Sequence, residues 1–187
     1  MKNSLFIGLI GENGSGKTTA CDIFKTIGFE TVSLSRVVRD YVESKGLKQE
    51  RNVLIEYANI LKQKHGLTYF AETCFNTVSF KQYERVVFDS VRHPDEVSFL
   101  KEKGVYFVGL KVPVSVRYER IKKRQHMTDL IDYQTFIEQD KREKSGDSLG
   151  QNLDKAFLLC DVIIENSDNL DRFKNQLLDV VSKMEMI

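Results

Sequence analysis

The sequence predicts an α/β fold, a parallel sheet with helices on both faces, and three observations carry that prediction. Short apolar runs alternate with longer amphipathic stretches along the whole chain. Runs such as Leu5 to Ile10 and Val86 to Phe88 are apolar at consecutive positions, the pattern of strands covered on both faces. A glycine-rich segment, Gly11 to Thr19, joins the first run to the first helical stretch, and ligands of such sheets gather at the carboxyl ends of strands.

Leu5 to Ile10 is the first strand, and after the loop Ala20, Ile23, Phe24 and Ile27 recur at helical spacing until Gly28. Phe29 to Ser33 is a short second strand. Ser35 to Ser44 is helical, with Ser35 as N-cap and Gly46 past its end. Arg51 to Lys64 repeats the pattern through Leu54, Tyr57, Ala58 and Leu61, and another helical piece covers Tyr69 to Phe80. Arg85 to Asp89 is a strand ending on a carboxylate. Pro94 suits the first turn of a helix over Asp95 to Lys103. Val105 to Val112 is a strand, and Pro113 opens a helix through Arg124. Tyr133 to Lys144 is helical, Ser145 to Gly150 a loop, Asp161 to Glu165 the last strand, and Leu170 to Met184 a closing amphipathic helix.

Gly11 to Thr18 fits the spacing G-x-x-x-x-G-K-[ST], and its place between a strand and a helix is the context that motif needs. Such a loop wraps backbone N–H groups around an anion, and its glycines keep side chains out of the way. Gly11, Asn13, Gly14, Ser15, Gly16 and Thr19 form the cradle, Lys17 reaches the β- and γ-phosphates, and the Thr18 hydroxyl holds Mg²⁺. The helix starting at Lys17 adds the positive end of its dipole.

The chain has 187 residues, 41% hydrophobic and 29% charged, the composition of one globular domain with a sizeable core. A net charge of +1 argues against a broad nucleic-acid or membrane footprint. Cys21, Cys74 and Cys160 are odd in number and widely spaced, which indicates buried thiols in a reducing cytoplasm rather than disulfides or a zinc site. The first apolar run is too short to span a membrane, and no signal-peptide pattern precedes it. His65, His93 and His126 have no metal-ligand spacing.

Asp89 stands where a carboxylate helps to hold Mg²⁺ opposite the loop. Ser90, Val91 and Arg92 follow it, with no Glu or Gln to orient a water, which favours transfer to an acceptor over hydrolysis. Arg92 can clamp an acceptor phosphate bidentately. Arg36, Arg39 and Arg51 are either an acceptor pocket or a solvated helix face. Arg117, Arg120 and Arg124 fall at i, i+3 and i+7, near one helix face, where a cationic lid can neutralise charge developing in phosphoryl transfer. Asp140 and Arg142 on the next helix can complete it. There is no N-K-x-D guanine reader, and the D-x-x-G from Asp147 to Gly150 comes too late to act as a switch beside Asp89.

With these residues placed, nearly the whole chain resembles the small P-loop kinases that include dephospho-CoA kinases and nucleoside monophosphate kinases. Val32 to Ser35 with Arg39, Phe88 to Arg92 with Glu96 and Val97, and Cys160 to Ile164 with Asn166 are most similar to the dephospho-CoA-kinase-like ATPases and the kinase-like domain fused to deoxycytidylate-type deaminases. The resemblance implies a five-stranded parallel P-loop NTPase fold and ATP with Mg²⁺. It also implies a lid over about residues 114–150 with the pair Arg120 and Arg124, and an adenine-side loop near Asn166. One departure is chemical. Bacterial dephospho-CoA kinases usually carry an acid at the end of the second strand to activate an acceptor hydroxyl, and this chain reads Val32-Ser33-Leu34-Ser35. A phosphate acceptor is already anionic and needs cations rather than a base. The expected activity is therefore a cytoplasmic kinase of a nucleotide-like small molecule, most of all a (deoxy)nucleoside monophosphate. Dephospho-CoA, a non-catalytic nucleotide sensor and a nucleic-acid-stimulated ATPase are the alternatives.

Overall fold

The computed structural model describes residues 4–124, 131–145, 150–167 and 169–186. His126 and residues 147–149 of the D-x-x-G segment lie outside them. The described elements are, in chain order, β1 (Leu5–Gly11), α1 (Lys17–Thr26), β2 (Glu30–Ser33), α2 (Leu34–Ser44), α3 (Arg51–His65), α4 (Tyr69–Lys81) and β3 (Arg85–Asp89). They continue with α5 (Pro94–Glu102), β4 (Tyr106–Lys111), α6 (Val114–Arg124), α7 (Tyr133–Lys144), α8 (Leu153–Phe157), β5 (Val162–Glu165) and α9 (Leu170–Glu185).

The five strands form one parallel sheet in the order β2-β3-β1-β4-β5. Alternation along each strand divides the core in two. Leu5, Ile7 and Leu9 of β1 face α1 and α9 together with Val87 and Val108. Ile10, Val86, Phe88 and Phe107 face the layer of α2, α3, α4, α5 and α8. Burial on both faces is why the strands read as unbroken apolar runs. The register pairs Ser33 with Asp89 and Gly11 with Leu110, so the carboxyl ends of β2, β3, β1 and β4 open on one edge.

Beyond shifts of a residue at element ends, one helix start and one added helix depart from the sequence reading. α2 starts at Leu34, with Ser33 rather than Ser35 in the N-cap place, and neither serine caps the helix because both hydroxyls are used in a side-chain network. α8 has no counterpart in the sequence reading; it is one short turn, held at its start by Lys155 N donating to Asn152 Oδ1 over 3.2 Å. His93 Nδ1 accepts from Asp95 N, and Glu96 accepts from His93 N, closing a capping box at α5.

Arg117 ties the α6–α7 pair to the sheet. Its side chain is 1% exposed, and it donates to both Asp140 oxygens at 2.6 and 2.9 Å, to Val112 O at 3.1 Å and to Asn13 O at 3.3 Å. Burial acts to raise the Asp140 pKa, but hydrogen bonds and charge from Arg117 and Lys144 outweigh it and hold the carboxyl below its ordinary value. A carboxylate with a lowered folded-state pKa stabilises the fold above its unfolded pKa and loses that contribution as pH falls through the folded value. Arg117→Met is expected to cost about 3–5 kcal/mol, because it strands a buried carboxylate. Denaturant unfolding at pH 7 measures this, and a loss under about 1 kcal/mol contradicts the assignment. The same deficit should shrink on acidification below pH 4.

Candidate active site at the loop mouth

The loop from Gly11 to Thr19 lies at the end of β1 and leads into α1. Gly14 and Gly16 have φ of +80° and +98°. Both also sit under close neighbours: a Cβ on Gly14 would lie 2.8 Å from Arg117 O, and one on Gly16 would strike Asn166 Nδ2. The glycines thus meet two demands at once, a left-handed backbone and close approach by α6 and the segment after β5. Gly16 occupies the N-cap place of α1 and brings no side-chain cap, which leaves first-turn N–H groups open to an anion.

Lys17 Nζ donates to Gly11 O at 2.5 Å and Glu12 O at 3.1 Å, so its ammonium is held by the loop's own carbonyls. Burial and then the Arg92 guanidinium lower its pKa to about 8, against the opposing pull of Asp89, Glu143 and Glu12. Asp89 Oδ1 is buried without a partner, as are Ser15 Oγ and Glu12 Oε2. Three orphaned polar atoms around one loop fit a ligand that completes their bonding. Thr18 and Asp89 line one cleft of about 370 Å³ with Cys21 and Asp22, and a hydroxyl with a carboxylate oxygen suits a hard cation such as Mg²⁺. Among the described residues no group of three or more His, Cys, Asp or Glu is placed to hold a metal. Burial pushes the thiols of Cys21, Cys74 and Cys160 to about 12, so none offers a thiolate at neutral pH.

A hydroxyl chain runs across the ends of β2 and β3. Ser33 Oγ donates to Ser90 Oγ at 3.2 Å, Ser90 Oγ donates to Asp89 Oδ2 at 3.0 Å, and Ser35 and Ser33 hydroxyls are 3.0 Å apart. Ser90 holds φ +64°, a strained value for a residue with a side chain. Strand register could not be read from the sequence, so this chain was legible there only as the missing second-strand acid.

The arginines separate into three groups. Arg92 donates to Gln151 Oε1 at 2.8 Å and pairs with Glu143 at 3.7 Å; Arg51 pairs closely with the same Glu143 carboxylate. Arg36 pairs with Asp40 at 2.6 Å and Arg39 donates to Gln49 Oε1 at 3.1 Å, both on the exposed face of α2. The third group does not share one face as its spacing suggested. Arg117 turns inward to Asp140, Arg120 donates to Asn166 O at 2.8 Å, and Arg124 is exposed in the last turn of α6. Docking of α7 onto α6 makes the inner position a buried ion pair, so Arg117 and Asp140 are a brace and not part of a cationic lid. Asn166 is itself 7% exposed, and its amide donates to Ser15 O at 3.0 Å, supporting the loop from behind.

The pairing of Lys62 with Glu96 was not read from the sequence, where Glu96 stood only in the resemblance and Lys62 was not singled out. Lys62 Nζ lies 3.1 Å from Glu96 Oε1, with both side chains over nine-tenths buried, while Glu96 Oε2 accepts from the backbone N–H groups of Arg92 and His93. This pair fixes the segment bearing Arg92 against α3, the helix bearing Arg51.

Comparisons with known proteins agree with this geometry. The family model described as AAA domain matches residues 7–146. A UPF0200 protein of Methanosarcina mazei is 30% identical over 179 residues, covering 94% of this chain and 93% of that one. A UPF0200/UPF0201 protein of Archaeoglobus fulgidus is 29% identical over 183 residues, covering 95% of this chain, which spans only 55% of that protein's length. Among solved structures, the shikimate kinase of Acinetobacter baumannii in complex with shikimate matches with a TM-score of 0.60 and 14% identity, covering 100% of this chain and 97% of that one. The dephospho-CoA kinase of Campylobacter jejuni matches at 0.56 and 13%, covering 96% of each. At such identities the structural matches speak for the fold, a kinase-like P-loop NTPase. The chain belongs to the UPF0200 family and, through residues 7–146, to the AAA domain family.

Proposed function

We propose that the protein is an ATP- and Mg²⁺-dependent phosphotransferase acting on a nucleotide or nucleotide-like small molecule, with a (deoxy)nucleoside monophosphate as the favoured acceptor. The observation that carries this reading is the meeting of Arg51 and Arg92 on one carboxylate beside the Lys17 loop, a ready cationic site for an acceptor phosphate. The whole chain acts as one kinase-like unit in the cytoplasm, with residues 114–150 as its lid. No described helix is long and apolar enough to cross a membrane.

Gly11, Asn13, Gly14, Ser15, Gly16 and Thr19 cradle the phosphates of ATP with backbone N–H groups. Lys17 leaves the carbonyls of Gly11 and Glu12 for the β- and γ-phosphates, and Thr18 and Asp89 hold Mg²⁺. The ion supplies neutralisation of the phosphate oxygens during transfer. Asn166 and Arg120 shape the wall on the adenine side. Arg120 and Arg124 lie on the lid helix, from which their charge offsets that developing on the transferred group. Arg92 orients the acceptor, and Arg36 and Arg39 offer further positive charge on α2.

The hydroxyl chain supports a second reading, an alcohol acceptor such as dephospho-CoA. Ser33 can accept the attacking hydroxyl's proton while its own passes through Ser90 to Asp89, a route that a phosphate acceptor does not need. Ser90→Ala separates the two: it should slow an alcohol acceptor about 100-fold, the scale of lost acid–base catalysis, and leave a phosphate acceptor within about threefold.

Incubation with ATP, Mg²⁺ and a panel of nucleoside monophosphates and dephospho-CoA is expected to give phosphorylated product, and Lys17→Ala to abolish it. ATP binding with no transfer to any member refutes the kinase reading in favour of a sensor. Stimulation of ATP consumption by DNA or RNA alone points to the nucleic-acid alternative. ATP affinity should also depend on pH in a stated direction. Lys17 is charged below about 8 and neutral above it in the free protein, so binding holds steady from pH 6 to 7 and weakens as pH rises past 8. Calorimetric titration over pH 6 to 9.5 reads this, and an affinity that is flat across the range refutes the role given to Lys17.

A further inference from the structure

Glu143 sits where the acceptor's charge is expected. Its carboxylate, carried on α7, bridges Arg51 from α3 and Arg92 from the segment after β3, and its side chain is only 11% exposed. A surface ion pair contributes little, but a carboxylate shared by two arginines in a half-buried pocket is a strong anion site already filled. Its surroundings decide which partner can leave. Arg92 is held through its backbone, since its N–H donates to Glu96 and its carbonyl accepts from Asn152 N at 2.9 Å. α3 is fixed to the same frame by the buried Lys62–Glu96 pair. α7 is fixed one turn earlier by Asp140 on Arg117, so an exchange at the two arginines requires a rotamer change of the Glu143 side chain and no movement of the helix.

We propose that Glu143 is a specificity-determining residue that acts as an internal stand-in for the acceptor's anionic group. An incoming phosphate displaces the Glu143 carboxylate from Arg51 and Arg92, and Glu143 turns outward. A molecule without an anionic group leaves the pair closed and is refused. This rests on the kinase reading for the name acceptor, while the anion exchange at the two arginines stands on the contacts alone. The displacement also adds a second consequence: bound phosphate carries up to two negative charges where the carboxylate carries one, so the exchange is favoured by charge and resisted by the cost of breaking an existing pair.

The test uses the whole chain with inorganic phosphate as the probe and saturating Mg²⁺-ADP to occupy the loop. The side-chain Nε–H resonances of Arg51 and Arg92 report binding in ¹⁵N-labelled protein. Glu143→Gln, which keeps the size and loses the charge, is expected to bind phosphate about tenfold more tightly than the parent chain. Arg51→Met in that background should abolish the gain. Phosphate affinity of Glu143→Gln equal to or weaker than that of the parent overturns the proposal, as does a gain that survives Arg51→Met. If Glu143→Gln unfolds, Glu143→Asp serves instead: shortened by one methylene, it holds the arginines less well and should bind phosphate severalfold more tightly, and unchanged affinity again overturns the proposal. Tight phosphate binding together with failure of every acceptor in the kinase panel removes the kinase reading and leaves the anion exchange standing.

Discussion

The site depends on one buried guanidinium. Arg117 satisfies Asp140, a carbonyl at the end of β4 and a carbonyl within the phosphate loop, so three segments distant in sequence share a single charged centre. Removing such a group from water is costly, and the cost is met only when every donor finds an acceptor. That requirement fixes where α6 and α7 sit. It also explains why Gly14 must lack a side chain, since the Arg117 backbone lies directly over it. Asn166 performs the matching task from the other side of the loop, over Gly16. The loop is thus clamped between two neighbours before any anion arrives, a preorganisation that lowers the cost of binding.

Around this clamp the charges form a connected set. Lys144 joins Asp140 to Glu12, Glu12 lies beside Lys17, and Lys17 feels both Arg92 and Glu143. The lowered basicity of Lys17 follows first from its burial and then from the Arg92 guanidinium, with the carboxylates of Asp89, Glu143 and Glu12 opposing both. Arg92 and Glu143 are therefore coupled electrostatically to the loop, and a change of charge on one side is felt on the other across a low-dielectric mouth.

Much of this was legible in the chain because it is local. The loop motif, the strand-end Asp89 and the helix stops at glycine are short-range signals, and the double-sided strands appear as apolar runs. What could not be read depended on register and on which face of a helix meets another. Spacing placed Arg117, Arg120 and Arg124 near one face, yet the packing of α7 turns the first of them into the core. The serines at 33, 35 and 90 come together only because β2 pairs with β3 at Ser33 and Asp89. Lys62 and Glu96, 34 positions apart, carry no periodic signal at all. α8 was missed because five residues are too few to show a helical period.

The sheet order has a consequence for how the chain reaches its fold. β1 is synthesised first and ends at the centre of the sheet, between β3 and β4, whose first residues paired with it are Arg85 and Tyr106. β1 therefore waits, unpaired, until β3 has been made nearly halfway along the chain, and its other edge waits longer, until β4 follows. Pairing across such separations is slow because the intervening loop must close before any hydrogen bond is gained. During that interval the nascent chain exposes Leu5 to Ile10 as a free strand edge, and the same stretch that later carries the phosphate loop is the one most open to wrong partners.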